Sequence, residues 1–257
     1  MAYKGCVTMH NFFVNDSNRN GDFYFITDGD YNHIKNVLRM KVGDEFLVSL
    51  NGKSDLCVLE EITGDTAIAK ITQENYQDTS LPVKLYLFQG LPKSDKMELV
   101  IQKAVELGAE GVIPVEMSRC VVKVEEKKKK SKQSRWQAIS ESAAKQSKRT
   151  VIPEVFEIMS YKNALKMAEE MDLFIVPYES KEGMKSTKNA LSKMQKGMKV
   201  GILIGPEGGF DEKEIELAEN SGGLIVSLGK RILRTETAAI TALSMCMLYA
   251  EMNIEVE

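Results

Sequence analysis

At 257 residues the chain is long enough to bury a full core, in one large domain or two unequal ones. Its 43% hydrophobic and 28% charged residues are ordinary globular values, and no apolar run approaches the roughly eighteen residues of a membrane span. The net charge of −3 argues against a uniformly basic protein, although it averages over an uneven distribution.

The opening Met1-Ala2-Tyr3-Lys4 lacks the apolar core of a secretory signal, so a soluble cytoplasmic protein is expected. Up to about residue 71 the chain reads as short strands at 22–26, 45–50, 55–62 and 66–71, with one helix near 31–38. Turn signals separate them: Val42-Gly43-Asp44, Asn51-Gly52 and Thr63-Gly64-Asp65. Asn51-Gly52 between two alternating runs is a hairpin signal, because both residues tolerate the positive φ of a two-residue turn. These features predict a small β-barrel over residues 1–72, followed by a polar linker over 73–82.

From residue 83 strands alternate with helices, the pattern of a mostly parallel sheet covered by helices. Strands are predicted at 84–89, 111–115, 172–176, 200–204 and 224–228. The intervening helices fall near 96–107, 132–146, 161–171, 212–221 and 235–251. Residues 83–257 are therefore expected to form one α/β domain.

Two segments in its last third carry the chemistry. Gly205-Pro206-Glu207-Gly208-Gly209-Phe210 follows one buried strand, and residues 228–239, Leu-Gly-Lys-Arg-Ile-Leu-Arg-Thr-Glu-Thr-Ala-Ala, follow the next. Glycines at a strand's carboxyl end let the backbone approach a ligand or take positive φ, and ligands of open parallel sheets bind beyond those ends. Lying side by side, the two ends would make a pocket, with Pro177 ending a third strand nearby. No GxxxxGK[ST] or GxGxxG is present, and Glu207 would repel a phosphate lying in the Gly205 turn. A ligand with positive charge or an adenosine moiety fits better than a triphosphate; a tight strand-to-helix turn would read the same. Arg231 and Arg234, with Glu236 close behind, point to a carboxylate or phosphate, or to a surface ion pair capped by Thr235.

Between residues 117 and 150, eleven lysines and arginines face three glutamates. That stretch is either a solvated helix face or part of a surface for a phosphate backbone, together with Arg39, Lys93 and Lys96. Trp136 within it reads as core before it reads as a base-stacking platform. Cys6, Cys57, Cys120 and Cys246 are scattered with only two histidines in the chain, so no metal site or disulfide framework is expected.

Taken together, several of these segments resemble the RsmE group of the SPOUT class of RNA methyltransferases. They are His33-Ile34-Lys35-Asn36-Val37-Leu38-Arg39, Lys96-Met97-Glu98 with Gln102-Lys103 and Glu106-Leu107-Gly108, Arg135-Trp136, residues 205–209 and residues 228–239. The resemblance covers nearly the whole chain; its departures are Lys230, where relatives often have proline, and the run Lys127-Lys128-Lys129-Lys130. It implies a PUA-like barrel followed by an α/β domain whose C-terminal chain forms a trefoil knot, working as a homodimer. It implies methylation of N3 of one uridine in small-subunit (16S) ribosomal RNA, free or in the assembled small subunit, with S-adenosyl-L-methionine as cofactor and no metal. Pro177, Tyr178, Gly205, Pro206, Glu207, Gly208, Leu228, Gly229, Arg231, Ile232 and Leu233 would then hold the cofactor, with backbone groups of Leu228, Ile232 and Leu233 reading the adenine. Arg39, Lys93, Lys96, Arg119 and Lys123 would contact RNA.

For the reaction, Arg234 is expected to stabilise charge growing on the uracil carbonyls or to hold a phosphate. A carboxylate, Glu207 or Glu236, would help remove the N3 proton or order the arginine. A SPOUT enzyme acting on a ribose hydroxyl or a tRNA base, and a non-catalytic RNA-binding module, remain as alternatives.

Overall fold

The computed structural model describes residues 9–93, 95–178 and 183–255. The chain divides into two compact units, one running to Ser80 and including Ala144–Val151, the other formed by Leu81–Ala143 and the chain from Ile152 onward.

The first unit contains strands β1 (Asn11–Phe13), β2 (Arg19–Asn20) and β3 (Phe23–Ile26), then helix α1 (Asp28–Asn32) continuing as a π-turn over His33–Val37. Strands β4 (Glu45–Leu50), β5 (Lys53–Ile62) and β6 (Ala67–Gln77) follow. The sheet order is β1-β4-β5-β6-β3-β2, antiparallel except that β1 runs parallel to β4. Strand β5 pairs β4 across the Asn51-Gly52 turn, where both residues have positive φ (51° and 80°). One core fills the unit, built on Phe12, Tyr24, Ile34, Phe46 and Leu59. Two details differ from the expected boundaries. Strand β6 runs to Gln77, so the first half of the polar stretch 73–82 is paired strand, its polar side chains facing solvent. Residues 144–151 also return to this unit, where Asn11 Nδ2 donates to the Arg149 carbonyl (2.9 Å) and Lys145 Nζ pairs with Asp30 (2.9 Å).

The second unit is an α/β sheet. In chain order it holds β7 (Lys84–Gly90), α2 (Lys96–Glu106), β8 (Ala109–Glu116), α3 (Glu126–Ser147), β9 (Glu154–Val155) and β10 (Met159–Ser160). Then come α4 (Tyr161–Ala168), β11 (Leu173–Pro177), α5 (Met184–Leu191), β12 (Lys199–Ile204), α6 (Glu212–Asn220), β13 (Gly223–Val226) and α7 (Thr235–Asn253). The last four residues of α3, from Ala144, are counted with the first unit. The strand order is β10-β8-β7-β12-β11-β13 with β9 beside β8, and every ladder among the described residues is parallel. Helices cover both faces: one core layer includes Leu85, Leu87, Ile101, Ile202 and Leu243, and the other Phe88, Ile113, Phe174, Leu203 and Phe210. Trp136 lies in the first of these layers, 5% exposed.

Strand β7 is the hinge of the topology. From it the chain builds β8, β9 and β10 on one side, then returns to place β12, β11 and β13 on the other. The carboxyl ends of β7 and β12, where direction reverses, are adjacent, with Gln89 in register with Ile204. In open α/β sheets that reversal opens a crevice for ligands.

Candidate functional site

The strand ends that carry the two glycine-containing segments are not side by side, as the sequence led one to expect. Strand β11 lies between β12 and β13, and β7 flanks β12 on the other side. The expectation failed because adjacency in a parallel sheet follows the crossovers, and no local pattern encodes their order. Three ends still converge: Tyr178, just after β11, donates its N–H to the Val226 carbonyl of β13 (2.9 Å), and its ring meets Phe210 edge-on at 6.0 Å. Phe210 in turn packs under Gly205, where an added Cβ would sit 3.1 Å from the ring.

After β13 the chain crosses past β11 and β12 to begin α7 at β7. Thr235, the first residue of that helix, donates from Oγ1 to the Gly205 carbonyl (2.6 Å) and accepts from Gln89 Nε2 (2.8 Å). Gln89 also donates to the Gly90 carbonyl (2.9 Å), which fixes the orientation of its amide, since a carbonyl offers no donor. The side chain is fully buried, and its Oε1 has no hydrogen-bond partner. Gly90 lets the Gly205-Pro206 turn come close: a Cβ there would lie 2.7 Å from the Pro206 nitrogen and 2.8 Å from Met117 Sδ. Gly208 similarly faces backbone, with Arg119 O 2.9 Å from its hypothetical Cβ.

Charge concentrates where these elements meet. Glu207 Oε1 accepts the Lys93 N–H (3.0 Å) and lies 3.2 Å from Lys96 Nζ, which is also 3.2 Å from Glu236 Oε2. The Lys96–Glu236 contact is ionic rather than a directed hydrogen bond, since Glu236 Oε2 is buried and has no hydrogen-bond partner. Burial alone would raise the Glu207 carboxyl, but the Lys93 N–H, its own N–H and Lys96 outweigh it and hold the group below the ordinary carboxylate range. The Glu207 carboxylate chiefly, with Glu236, holds the Lys96 ammonium above its ordinary range against the opposing effect of desolvation. Beneath the turn, Glu214 anchors two backbones, accepting from Ser118 N (2.8 Å) and Asp211 N (2.9 Å).

The segment before α7 is pinned at its start and open in its middle. Ser227 is gripped by Thr187, whose hydroxyl donates to the Ser227 carbonyl (2.6 Å), and Gly229 donates to Ser227 Oγ (3.1 Å) with φ +103°. Leu228 and Leu233 are half-buried, Arg231 and Arg234 exposed, and Ile232 entirely exposed at 102%. Among the described residues neither Arg231 nor Arg234 forms an ion pair.

The structure thus places Pro177, Tyr178, Gly205, Pro206, Glu207, Gly208, Leu228, Gly229, Arg231, Ile232 and Leu233 at the ends of β11, β12 and β13 and on the crossing segment. Arg234 and Glu236 open α7 beside them. Of the cationic candidates in this unit, Lys93, Arg119 and Lys123 are exposed, whereas Lys96 is drawn into the pair of carboxylates. Arg39 is exposed on the first unit with φ +52°. Much of the basic stretch is internally compensated: Lys127 and Lys128 pair with Glu125, Lys129 with Glu116 and Glu126, and Arg135 with Glu98. Cys57, Cys120 and Cys246 are free thiols, and Cys6 lies outside the described residues. Sequence reasoning missed Gln89, Gly90 and Thr187. Gly90-Leu91-Pro92 carries the same strand-end turn chemistry as Gly205-Pro206 and could have been read; the buried amide of Gln89 and the hydroxyl of Thr187 leave no local signal.

Known proteins sharpen this picture. A family model described as an RNA methyltransferase domain matches residues 79–247, and one described as an RNA methyltransferase PUA domain matches residues 26–72. Ribosomal RNA small subunit methyltransferase E of Bacillus subtilis (strain 168) is 40% identical over 225 residues, covering 86% of this chain and 88% of the relative. The protein of the same name from Mesomycoplasma hyopneumoniae (strain 232) is 33% identical over 93% of this chain and 99% of its own length. A crystal structure of a ribosomal RNA small subunit methyltransferase E from Neisseria gonorrhoeae, bound to S-adenosyl methionine, superposes with a TM-score of 0.77 at 31% identity, covering 92% of this chain and 95% of that one.

Proposed function

The chain belongs to the ribosomal RNA small subunit methyltransferase E family, and from that premise we propose that it transfers a methyl group from S-adenosylmethionine to N3 of one uridine in small-subunit (16S) ribosomal RNA. The observation that carries this reading is the convergence of the β11, β12 and β13 ends with the start of α7 around a pair of carboxylates. Glu207 and Glu236 share one ammonium, and beside them lie exposed or half-buried Leu228, Ile232 and Leu233. Acceptors, carboxylates and apolar side chains fit an adenosyl group carrying a cation. When bound, the cofactor supplies a methyl group on a positively charged sulfur.

The chain's own residues do the rest. The turn at Gly205, Pro206, Glu207 and Gly208, with Pro177 and Tyr178 on one flank and the segment through Gly229 and Arg231 on the other, binds and orients the donor. The acceptor nitrogen must lie in line with the breaking bond, so positioning supplies much of the acceleration. Arg234, exposed and outside any ion pair among the described residues, stabilises negative charge growing on the uracil carbonyls or holds the adjoining phosphate. Glu207 anchors Lys93 and Lys96, and a carboxylate, Glu207 or Glu236, takes the N3 proton or orders Arg234. N3 lies on the Watson–Crick edge, so the target uridine must be unpaired or turned outward. Phosphates around it would meet Lys93, Arg119 and Lys123, and Arg39 would contact RNA from the first unit. On this reading R234A loses at least tenfold in kcat with cofactor affinity intact, the pattern for a group that acts in the transition state.

The reading extends to the assembly. A trefoil knot belongs to the same reading, with residues 227–234 as the segment that would thread it. Ile232, with Leu248 (47% exposed) and Met252 (73% exposed) on α7, supports a homodimer seam. Among the described residues no helix is long and apolar enough to cross a membrane, and ribosomal RNA as substrate supports a cytoplasmic location.

The test is incubation with isotopically labelled S-adenosylmethionine, unmodified small subunits and free 16S RNA in parallel, followed by mass-spectrometric mapping of the methylated nucleoside. Label on uridine N3 is expected. Label on a ribose or another base would reassign the substrate, and absence of both label and cofactor binding would leave an RNA-binding module. Sedimentation at micromolar concentration checks the dimer.

A further inference from the structure

Lys96 occupies the first position of α2, where the helix dipole disfavours a cation. It is held there by carboxylates from two other parts of the fold: Glu207 in the turn after β12 and Glu236 in the first turn of α7, each 3.2 Å from its ammonium. The three side chains are 31%, 22% and 14% exposed, so the cluster lies at the surface and is partly shielded from water, most at Glu236. We propose that Lys96 is a positioning residue for methyl transfer: its ammonium clamps the Gly205 to Phe210 turn to the start of α7, so that the two segments that hold the donor form one rigid site. This inference rests on the methyl-transfer reading above.

Three observations support the clamp. Glu207 is fastened to the entry of α2 twice through one oxygen, by the Lys93 N–H and by Lys96, so the turn's carboxylate has little freedom. Glu236 Oε2 is buried and, among the described residues, is paired with positive charge through Lys96 alone, so removing the ammonium would leave a buried carboxylate oxygen uncompensated. Behind this pair the buried relay from Gln89 through Thr235 to the Gly205 carbonyl joins the same two segments. The ion pairs are the outer tie and the relay the inner one. The cluster keeps one net negative charge, complementary to a cationic donor. A phosphate-binding lysine, by contrast, needs a free ammonium, and Lys96 would have to abandon two carboxylates to reach RNA.

The test compares wild type with K96M, which keeps a long stem without charge, and K96R, which keeps the charge. Cofactor affinity is read by calorimetry, and kcat, KM for RNA and the salt slope of RNA binding are measured on the full chain. Removal of the clamp in K96M should weaken cofactor binding about tenfold and lower kcat about ten- to a hundredfold. RNA KM and salt slope should stay put, and K96R should recover most of both effects. A raised RNA KM and a shallower salt slope with wild-type kcat and cofactor affinity would overturn the inference in favour of a phosphate contact, and wild-type values throughout would leave a merely structural pair. Should K96M not fold, K96Q, whose amide can still donate to one of the carboxylates without carrying charge, takes its place; reduced cofactor affinity and kcat are again expected, and wild-type values there would equally overturn the clamp. Failure of the functional reading is distinct, because it shows in the wild-type protein as absence of uridine methylation.

Discussion

Replacing Thr235 by valine tests whether the buried relay holds the site together. Threonine and valine are both β-branched and nearly isosteric, so helix propensity at the first position of α7 hardly changes. What changes is one hydroxyl, 5% exposed as a residue, that donates to the Gly205 carbonyl at 2.6 Å and accepts from Gln89 at 2.8 Å. The substitution leaves one Gln89 N–H unpaired in a side chain whose Oε1 already has no partner, and deprives the Gly205 carbonyl of its donor. At about 1–3 kcal/mol for each of the two buried groups left unsatisfied, the cost is roughly 2–6 kcal/mol. With about 2–4 °C of melting temperature per kcal/mol, melting of the α/β unit should fall by roughly 4–24 °C. Circular dichroism melting of wild type, T235V and T235S would measure this, with serine, which keeps the hydroxyl and drops one methyl, recovering most of the difference. Calorimetry on the same proteins should show weaker cofactor binding in T235V. A T235V protein that melts within about 1 °C of wild type would refute the relay as a structural tie.

Gly90→Ala should destabilise by about 1–3 kcal/mol, the range for overpacking, because the new methyl would meet the Pro206 backbone at 2.7 Å; urea unfolding checks it against Gly64→Ala, where nothing lies within 4 Å. Glu207 is a carboxylate held below its ordinary range, so its stabilisation is complete above the unfolded-state value and disappears as pH falls through the folded one. The melting difference between wild type and E207Q should therefore be constant near neutrality, begin to shrink as pH falls through the ordinary glutamate value of about 4.3, and vanish on further acidification through the lower folded one; a difference that grew on acidification would contradict the hydrogen bonds and ion pair assigned to that carboxylate. Arg39→Glu should weaken binding to small-subunit RNA and lower the salt slope by about 0.7–0.9 for each phosphate no longer neutralised, with cofactor affinity unchanged, as filter binding across salt concentrations would show.

How much of this was legible depended on whether the information was local. Residues 45–50 were readable to the residue because the Val42-Gly43-Asp44 and Asn51-Gly52 turns bracket a short apolar run and so mark both ends of β4. Helix α5 was not, since only Thr187 and Ala190 are buried along Met184–Leu191 and no apolar stripe marks the sequence. Strands β1, β9 and β10 are two or three residues long and exist through pairing with distant partners. The glycine-containing segments announced a site, because their chemistry is needed at strand ends wherever those strands lie. Which ends adjoin was hidden in the crossovers, and so the role of β7 went unread.

Lys96 shows the same divide on one side chain. In sequence it is a lysine at the head of an amphipathic helix, and a phosphate contact is the natural reading for a cation in an RNA-binding protein. The fold changes its meaning by delivering Glu207 from the end of β12 and Glu236 from the start of α7 to the same ammonium. Each carboxylate answers a local need: Glu207 satisfies the Lys93 N–H at the entry of α2, and Glu236 sits in the first turn of α7, where negative charge is favoured. Left together in a partly buried space they would repel, and the lysine that α2 would otherwise disfavour at its first position is what lets them coexist. A locally disfavoured lysine and two carboxylates that would repel each other become one group because the crossover after β13 brings the start of α7 back to β7. If that crossover is what makes the site, weakening its inner tie at Thr235 and its outer tie at Lys96 should each loosen the same two segments. The double variant should then weaken cofactor binding by less than the two single effects combined, since the second cut acts on a site already open.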